Sequence, residues 1–194
     1  MSPLQHPTMG WPFGVAWVGL SVATHLGMAS LIGFPYVPIG NGPSWDVQSG
    51  LWGAVGGLCW GGVVGLVQAR LLQRHGVRPL AAHRWWAATT FAFGLVGTFG
   101  GGVPEHLDIR AVIFALALIV GAAYALAMKP VVRKPLPWLA ALAGAWLGGI
   151  ALGAVPAALA GMRYSADRFR AGAAVGLLIG MVSWWLLAKL VRDG

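Results

Sequence analysis

The sequence predicts an all-α integral membrane protein of six transmembrane helices, arranged as three tandem helical hairpins packed through Gly-rich faces. Three observations carry that expectation. Hydrophobic residues make up 58% of the 194-residue chain and charged residues only 9%, against roughly 25% charged in an ordinary soluble domain. Too few charges remain to cover a water-facing surface, so soluble enzymes, disordered chains and nucleic-acid modules are set aside. Six stretches reach the roughly 20 helical residues needed to cross a hydrocarbon core of about 30 Å. They lie at about 11–34, 49–72, 84–103, 110–128, 137–160 and 170–190. Finally, most of the 30 glycines fall within these stretches, many of them at helical spacing.

Span 1 opens at Trp11 with no Lys or Arg before it, and it exceeds the 7–15 apolar residues of a typical signal peptide, so it reads as a retained helix. Span 2 carries Gly53, Gly57, Gly61 and Gly65. Positions i and i+4 share a helix side, so these four form one glycine face. Span 6 repeats the device with Gly172, Gly176 and Gly180. Weaker versions are Gly19, Ala23 and Gly27 in span 1, Ala117, Gly121 and Ala125 in span 4, and Ala145, Gly149 and Gly153 in span 5. Lipid tails are as apolar as Leu, so membrane helices associate through close backbone approach, which glycine permits. The connectors, such as Pro35 to Ser44 and Lys129 to Pro137, are too short for a second domain, and residues 1–194 read as one.

The even spans also align on one glycine. GLVQARLL, GAAYALAM and GMVSWWLL start at Gly65, Gly121 and Gly180 and place Gln68, Tyr124 and Ser183 three residues on. The odd spans repeat less well: Trp86 and Trp138 are each followed by Gly at +11 and +15, whereas Trp11 keeps only Gly19. Three hairpins of roughly 57 residues follow from this spacing.

Orientation comes from the loops. Nine of the 13 Lys and Arg residues fall on one side: Arg70, Arg74, Arg78 and Arg84, then Lys129, Arg133 and Lys134, then Lys189 and Arg192. Asp46, Glu105, Asp108 and Asp167 fall on the other, with Arg110, Arg163, Arg168 and Arg170. Basic loops stay in the cytoplasm, which places both termini there. The same rule turns the net charge of +8 into a topology signal, not a nucleic-acid one. The basic run also suits anionic headgroups or an acidic partner subunit.

No Asp, Glu, Lys or Arg occupies the middle of a span, which disfavours ion-coupled transport and carboxylate-based intramembrane catalysis. No catalytic residue and no metal site is expected. His25 is the single histidine within a span, and it is expected to bond Ser21, Thr24 or a nearby carbonyl. Its sharper role is an axial ligand to a haem or chlorophyll-type pigment. With no second intramembrane His, a bis-histidine haem within one chain is excluded. Gln68 suits a helix bridge or a solute contact. Glu105, His106 and Asp108 have metal-ligand types but sit as close neighbours in one loop, which favours a solvated loop. Pro156 should kink span 5. Cys59 reads as a small buried residue. Of the 11 Trp, Trp11, Trp45, Trp52, Trp85, Trp86, Trp138, Trp184 and Trp185 suit interfacial anchors, and Trp17, Trp60 and Trp146 suit a pocket lining.

The Gly-x-x-Gln pattern followed by a basic loop and a Trp-opened helix resembles uncharacterised bacterial membrane proteins, which implies a bacterial inner membrane. In size and span number the chain is similar to the six-helix substrate-binding subunits of vitamin transporters, with no shared motif. The functional expectation is a non-catalytic accessory or scaffold subunit of a larger membrane complex, bioenergetic in one version, contacting lipid and other membrane subunits. The alternatives are a small solute-binding or transport subunit and a pigment- or haem-binding subunit using His25.

Overall fold

The computed structural model describes residues 9–31, 47–99, 104, 107–129, 135–160 and 164–192. Six helices occupy the six expected places: α1 (Trp11–Leu31), α2 (Val47–Arg74), α3 (Pro79–Thr98), α4 (Ile109–Met128), α5 (Pro135–Ala160) and α6 (Tyr164–Arg192). No strand occurs among the described residues.

Five of the helices are long and apolar enough to cross a membrane, in the segments Trp11–Ser30, Val47–Arg74, Arg110–Met128, Pro135–Leu152 and Gly172–Lys189. Helix α3 falls outside that set. It starts five residues earlier than expected, with Pro79 in its first turn where a missing N–H costs nothing. The early start adds His83 to Arg84 within the helix, and Thr89, Thr90 and Thr98 dilute its apolar character further.

The helices run alternately up and down and pack in a ring. Helix α2 lies antiparallel on α3 along a very close line. A Cβ placed at Gly53 would collide with the Gly97 carbonyl oxygen, and one at Gly57 with that of Phe93. At Gly61 it would lie 2.7 Å from Phe93 Cβ, and at Gly65 3.0 Å from Thr89 Cβ. The seam therefore holds two backbones at a distance that no side chain permits. Helix α6 meets α1 the same way. A Cβ at Gly176 would sit 2.7 Å from Val22 Cα, at Gly180 2.9 Å from Val18 Cα, and at Gly172 2.9 Å from the His25 carbonyl oxygen. Gly121 of α4 faces the Leu139 carbonyl of α5 at 3.0 Å, and Gly149 of α5 faces the Val175 backbone of α6.

Two expectations about neighbours change. Helix α1 touches α2 only slightly, while its long contact is with α6, so the chain's first and last helices close the ring. Gly19 has open space around it and Ala23 is exposed. The face of α1 that packs on α6 is Gly14, Val18, Ser21, Val22 and His25, while Gly27 of the expected face meets the Trp60 ring of α2. Near one end of the bundle the rings of Trp11 and Trp184 meet edge-on at 5.2 Å, and Trp184 Nε1 donates to the Met9 carbonyl at 3.4 Å. Helix direction places Arg70, Arg74, Arg78, Arg84, Lys129 and Lys189 at that same end. Of the opposite end, Asp46, Glu105 and His106 lie outside the described residues, as do the side chains of Pro156 and Asp167.

Cys59 is exposed, not buried. The glycines on one side of α2 fix its inward face, so Leu51, Val55 and Cys59 are turned outward. Trp85 and Trp138 also depart from expectation. Both are buried in the core, whereas Trp11, Trp52, Trp86 and Trp185 stand exposed as anchors would.

Candidate functional site

Polar side chains inside the ring gather at its axis. Gln68 of α2 is buried, with 7% of its surface exposed. Its Oε1 accepts from Trp85 Nε1 at 2.9 Å and from the Thr89 hydroxyl at 3.2 Å. An indole nitrogen is a donor only, so the amide must turn its oxygen to Trp85 and its NH2 the other way. Trp17 of α1 is held in the same manner: its Nε1 donates to Ser183 Oγ of α6 at 2.8 Å. The Ser183 hydroxyl in turn donates back to the Ile179 carbonyl, four residues earlier in its own helix. Tyr124 of α4 packs against Trp85 with the rings tilted and their centroids 4.6 Å apart, and its hydroxyl pairs with Thr89.

His25 of α1, 8% exposed, lies beside these groups. Its Nδ1 is 2.8 Å from the Ser21 carbonyl oxygen. A carbonyl only accepts, so Nδ1 carries the proton, and the neutral ring leaves Nε2 as a bare acceptor. This is the bond to a nearby carbonyl that the helix position suggests, made by the Ser21 backbone and not by its hydroxyl.

These side chains enclose two chambers stacked along the bundle axis. The one nearer the basic end is lined from all six helices, by residues that include Ser21, His25, Gln68, Tyr124, Leu142 and Ser183. The other is more apolar and includes Met28, Val96, Val120 and Trp146. His25, Phe93, Tyr124 and Ile179 belong to both. The polar chamber has about 20 Å³ of room for water centres and the apolar one about 30 Å³. At roughly 10–15 Å³ for each water, the two hold about four. No Asp, Glu, Lys or Arg lines either chamber among the described residues.

Toward the basic end the polar chamber is stoppered by rings in series. Tyr124 lies on Trp85, Trp85 is 5.4 Å from Trp17, Trp17 is stacked on Phe13 at 5.4 Å, and Phe13 is 4.7 Å from His75. Each spacing falls in the range at which aromatic pairs attract.

Gln68, Tyr124 and Ser183, which share a register in sequence, thus meet at one chamber with His25. The glycines instead build the walls. Of the deep tryptophans, Trp17 and Trp146 line the chambers, while Trp60 donates to the Thr24 carbonyl at 3.1 Å. Trp85, Thr89 and Phe93 were not anticipated. Trp85 and Thr89 are four residues apart on one helix face, and a polar pair at that spacing inside an apolar helix is the signal that marks them. Asp108 caps α4, accepting from Arg110 N at 2.9 Å, which gives it a structural role. Among the described residues no group of three or more His, Cys, Asp or Glu is placed to hold a metal.

Fold and site together define an all-helical bundle whose apolar helices suit a membrane and whose axis is polar but uncharged. No known protein family, curated protein or solved structure matches the chain.

Proposed function

We propose that this chain is a multi-pass membrane protein that binds a small solute in its central chamber, as a solute-binding or transport component. The observation that carries the reading is the chamber itself: six helices contribute to one polar, charge-free lining. Burying hydroxyl, amide and imidazole groups costs free energy unless they are satisfied, and a bundle serving only as a scaffold gains nothing from gathering them at a void. The accessory-subunit reading rests on the same helices, and the exposed apolar faces it would use are equally those that lipid covers. A pigment needs a slot far larger than the room beside His25, so that role is not carried further.

In this reading all six helices cross the bilayer. Helix α3, the one outside the apolar set, does so because α2 covers one face and the hydroxyls of Thr89, Thr90 and Thr98 are all satisfied, by Gln68 and by carbonyls of their own helix. Both termini lie at the basic, cytoplasmic end, in a bacterial inner membrane. A reporter fused after Gly194 is therefore expected on the cytoplasmic side and one inserted near Asn41 on the other, and finding both on one side contradicts the topology. The threefold repeat also belongs here. Its support is that Gly65, Gly121 and Gly180 each face the following odd helix around the ring, which makes the packing unit an even helix plus its successor, with α6 and α1 as the third.

Solute access is tested by a cysteine at position 21. In a Cys59→Ala background, Ser21→Cys lines the chamber, whereas Ala82→Cys is buried away from it. Methyl methanethiosulfonate, small and uncharged, is expected to modify the purified Ser21→Cys protein and spare Ala82→Cys. Equal inertness of the two sites means that the chamber is sealed, and the solute-binding reading fails.

A further inference from the structure

Resting on the solute-binding reading, we infer that the chamber recognises a small, planar, neutral amide, through His25 Nε2 as acceptor and the Gln68 side-chain NH2 as donor. Both side chains are more than nine-tenths buried and line the polar chamber. Both have one polar atom engaged and one left over. Gln68 Oε1 holds Trp85 and Thr89, and among the described residues its NH2 makes no hydrogen bond. His25 Nδ1 holds the Ser21 carbonyl, and Nε2 makes none. A buried donor and a buried acceptor facing one void are normally satisfied by water or by a ligand.

The two leftover atoms specify a complement. The ligand must give an N–H or O–H to the imidazole and take a hydrogen bond from the amide, which a primary amide does with its NH2 and its carbonyl. With no carboxylate in the lining, a cation has no counter-charge, and with no Lys or Arg an anion has none either. Bare ions in a low-dielectric site are strongly disfavoured. The polar chamber alone admits about one or two waters and the two chambers together about four, so a molecule of about four heavy atoms extends from the polar chamber into the apolar one past the residues they share. The flanking surfaces are the rings of Phe93, Trp85 and Tyr124, which stack on a planar molecule better than on a tetrahedral one.

The probe is acetamide, read as protection of Ser21→Cys from methyl methanethiosulfonate in the full-length protein. At ten times its dissociation constant, acetamide is expected to slow labelling roughly tenfold. Glycerol, methylammonium chloride and sodium formate at equal concentration should leave the rate unchanged. Gln68→Met and His25→Leu should each lose the protection, read in each variant as the ratio of its own labelling rates with and without acetamide. His25→Gln, which restores an acceptor, should recover part of it. Should a variant misfold, the comparison of acetamide with glycerol in the Ser21→Cys protein decides alone. Labelling without protection by acetamide, or protection by glycerol, methylammonium or formate to the same degree, overturns the amide assignment while leaving a solute-accessible chamber standing. Failure to label at all overturns both.

Discussion

Gly57→Leu is expected to destabilise the protein severely, while Gly56→Leu, one residue away on the same helix, is expected to be nearly silent. A Cβ at Gly57 would strike the Phe93 carbonyl oxygen and carbon on α3, whereas at Gly56 nothing lies within 4 Å. The obstacle at Gly57 is backbone, which does not rotate aside, so the two helices must separate along the whole line from Gly53 to Gly65. Overpacking costs roughly 1–3 kcal/mol even where side chains give way, and here about 3 kcal/mol or more is expected. For a chain of this size that is about 10 °C in the melting temperature. Thermal unfolding in detergent checks it. Equal melting temperatures for the two variants contradict the packing of α2 on α3.

Gln68→Leu carries the second large effect. Leucine nearly matches glutamine in volume, so the cost is polar: Trp85 Nε1 and the Thr89 hydroxyl both lose their acceptor. Each unsatisfied buried donor costs about 1–3 kcal/mol, though interhelical hydrogen bonds in membranes average nearer 0.6 kcal/mol, because the reference state finds other partners. Water in the chamber reaches one of the two donors at most, and a net loss of about 2 kcal/mol follows. Thr90→Val is the comparison. The Thr90 hydroxyl donates to the Trp86 carbonyl of its own helix at 3.0 Å, in an exposed bond at a half-buried position, and losing such a local bond costs about 0.5 kcal/mol, the low end of the range. If Gln68→Leu melts with Thr90→Val, Gln68 does not hold Trp85 in place.

The helices were legible in the sequence because length and apolarity are local properties. Their borders agree within three residues, apart from α3, which both starts and ends five residues early because Pro79 opens it inside the basic loop, and α6, which starts at Tyr164 and not at 170. Partners were harder to read. The glycine faces of α2 and α6 announce close contact but name no neighbour, and only the ring arrangement gives the first to α3 and the second to α1. Cys59 shows the same limit: an apolar run does not reveal which side of a helix looks outward when lipid, like the core, accepts apolar groups. Gln68, Tyr124 and Ser183 were visible through a shared register, and His25 through its isolation. Trp85 was not, since a tryptophan near a helix start is usually an interfacial anchor, and nothing local shows that Gln68 waits opposite.

Hydration of the chamber in the unmodified protein tests the central claim most directly. Hydroxyl-radical footprinting reports water next to a side chain, whether that side chain is at the surface or inside. Trp85 and Trp138 are equally hidden, at 3% and 4% exposure, but only Trp85 lines the chamber. Trp85 and Tyr124 are expected to be oxidised at rates approaching that of exposed Trp52, with Trp138 protected. Protection of Trp85 and Tyr124 to the same extent as Trp138 would mean a dry, closed axis and would contradict a solute site there.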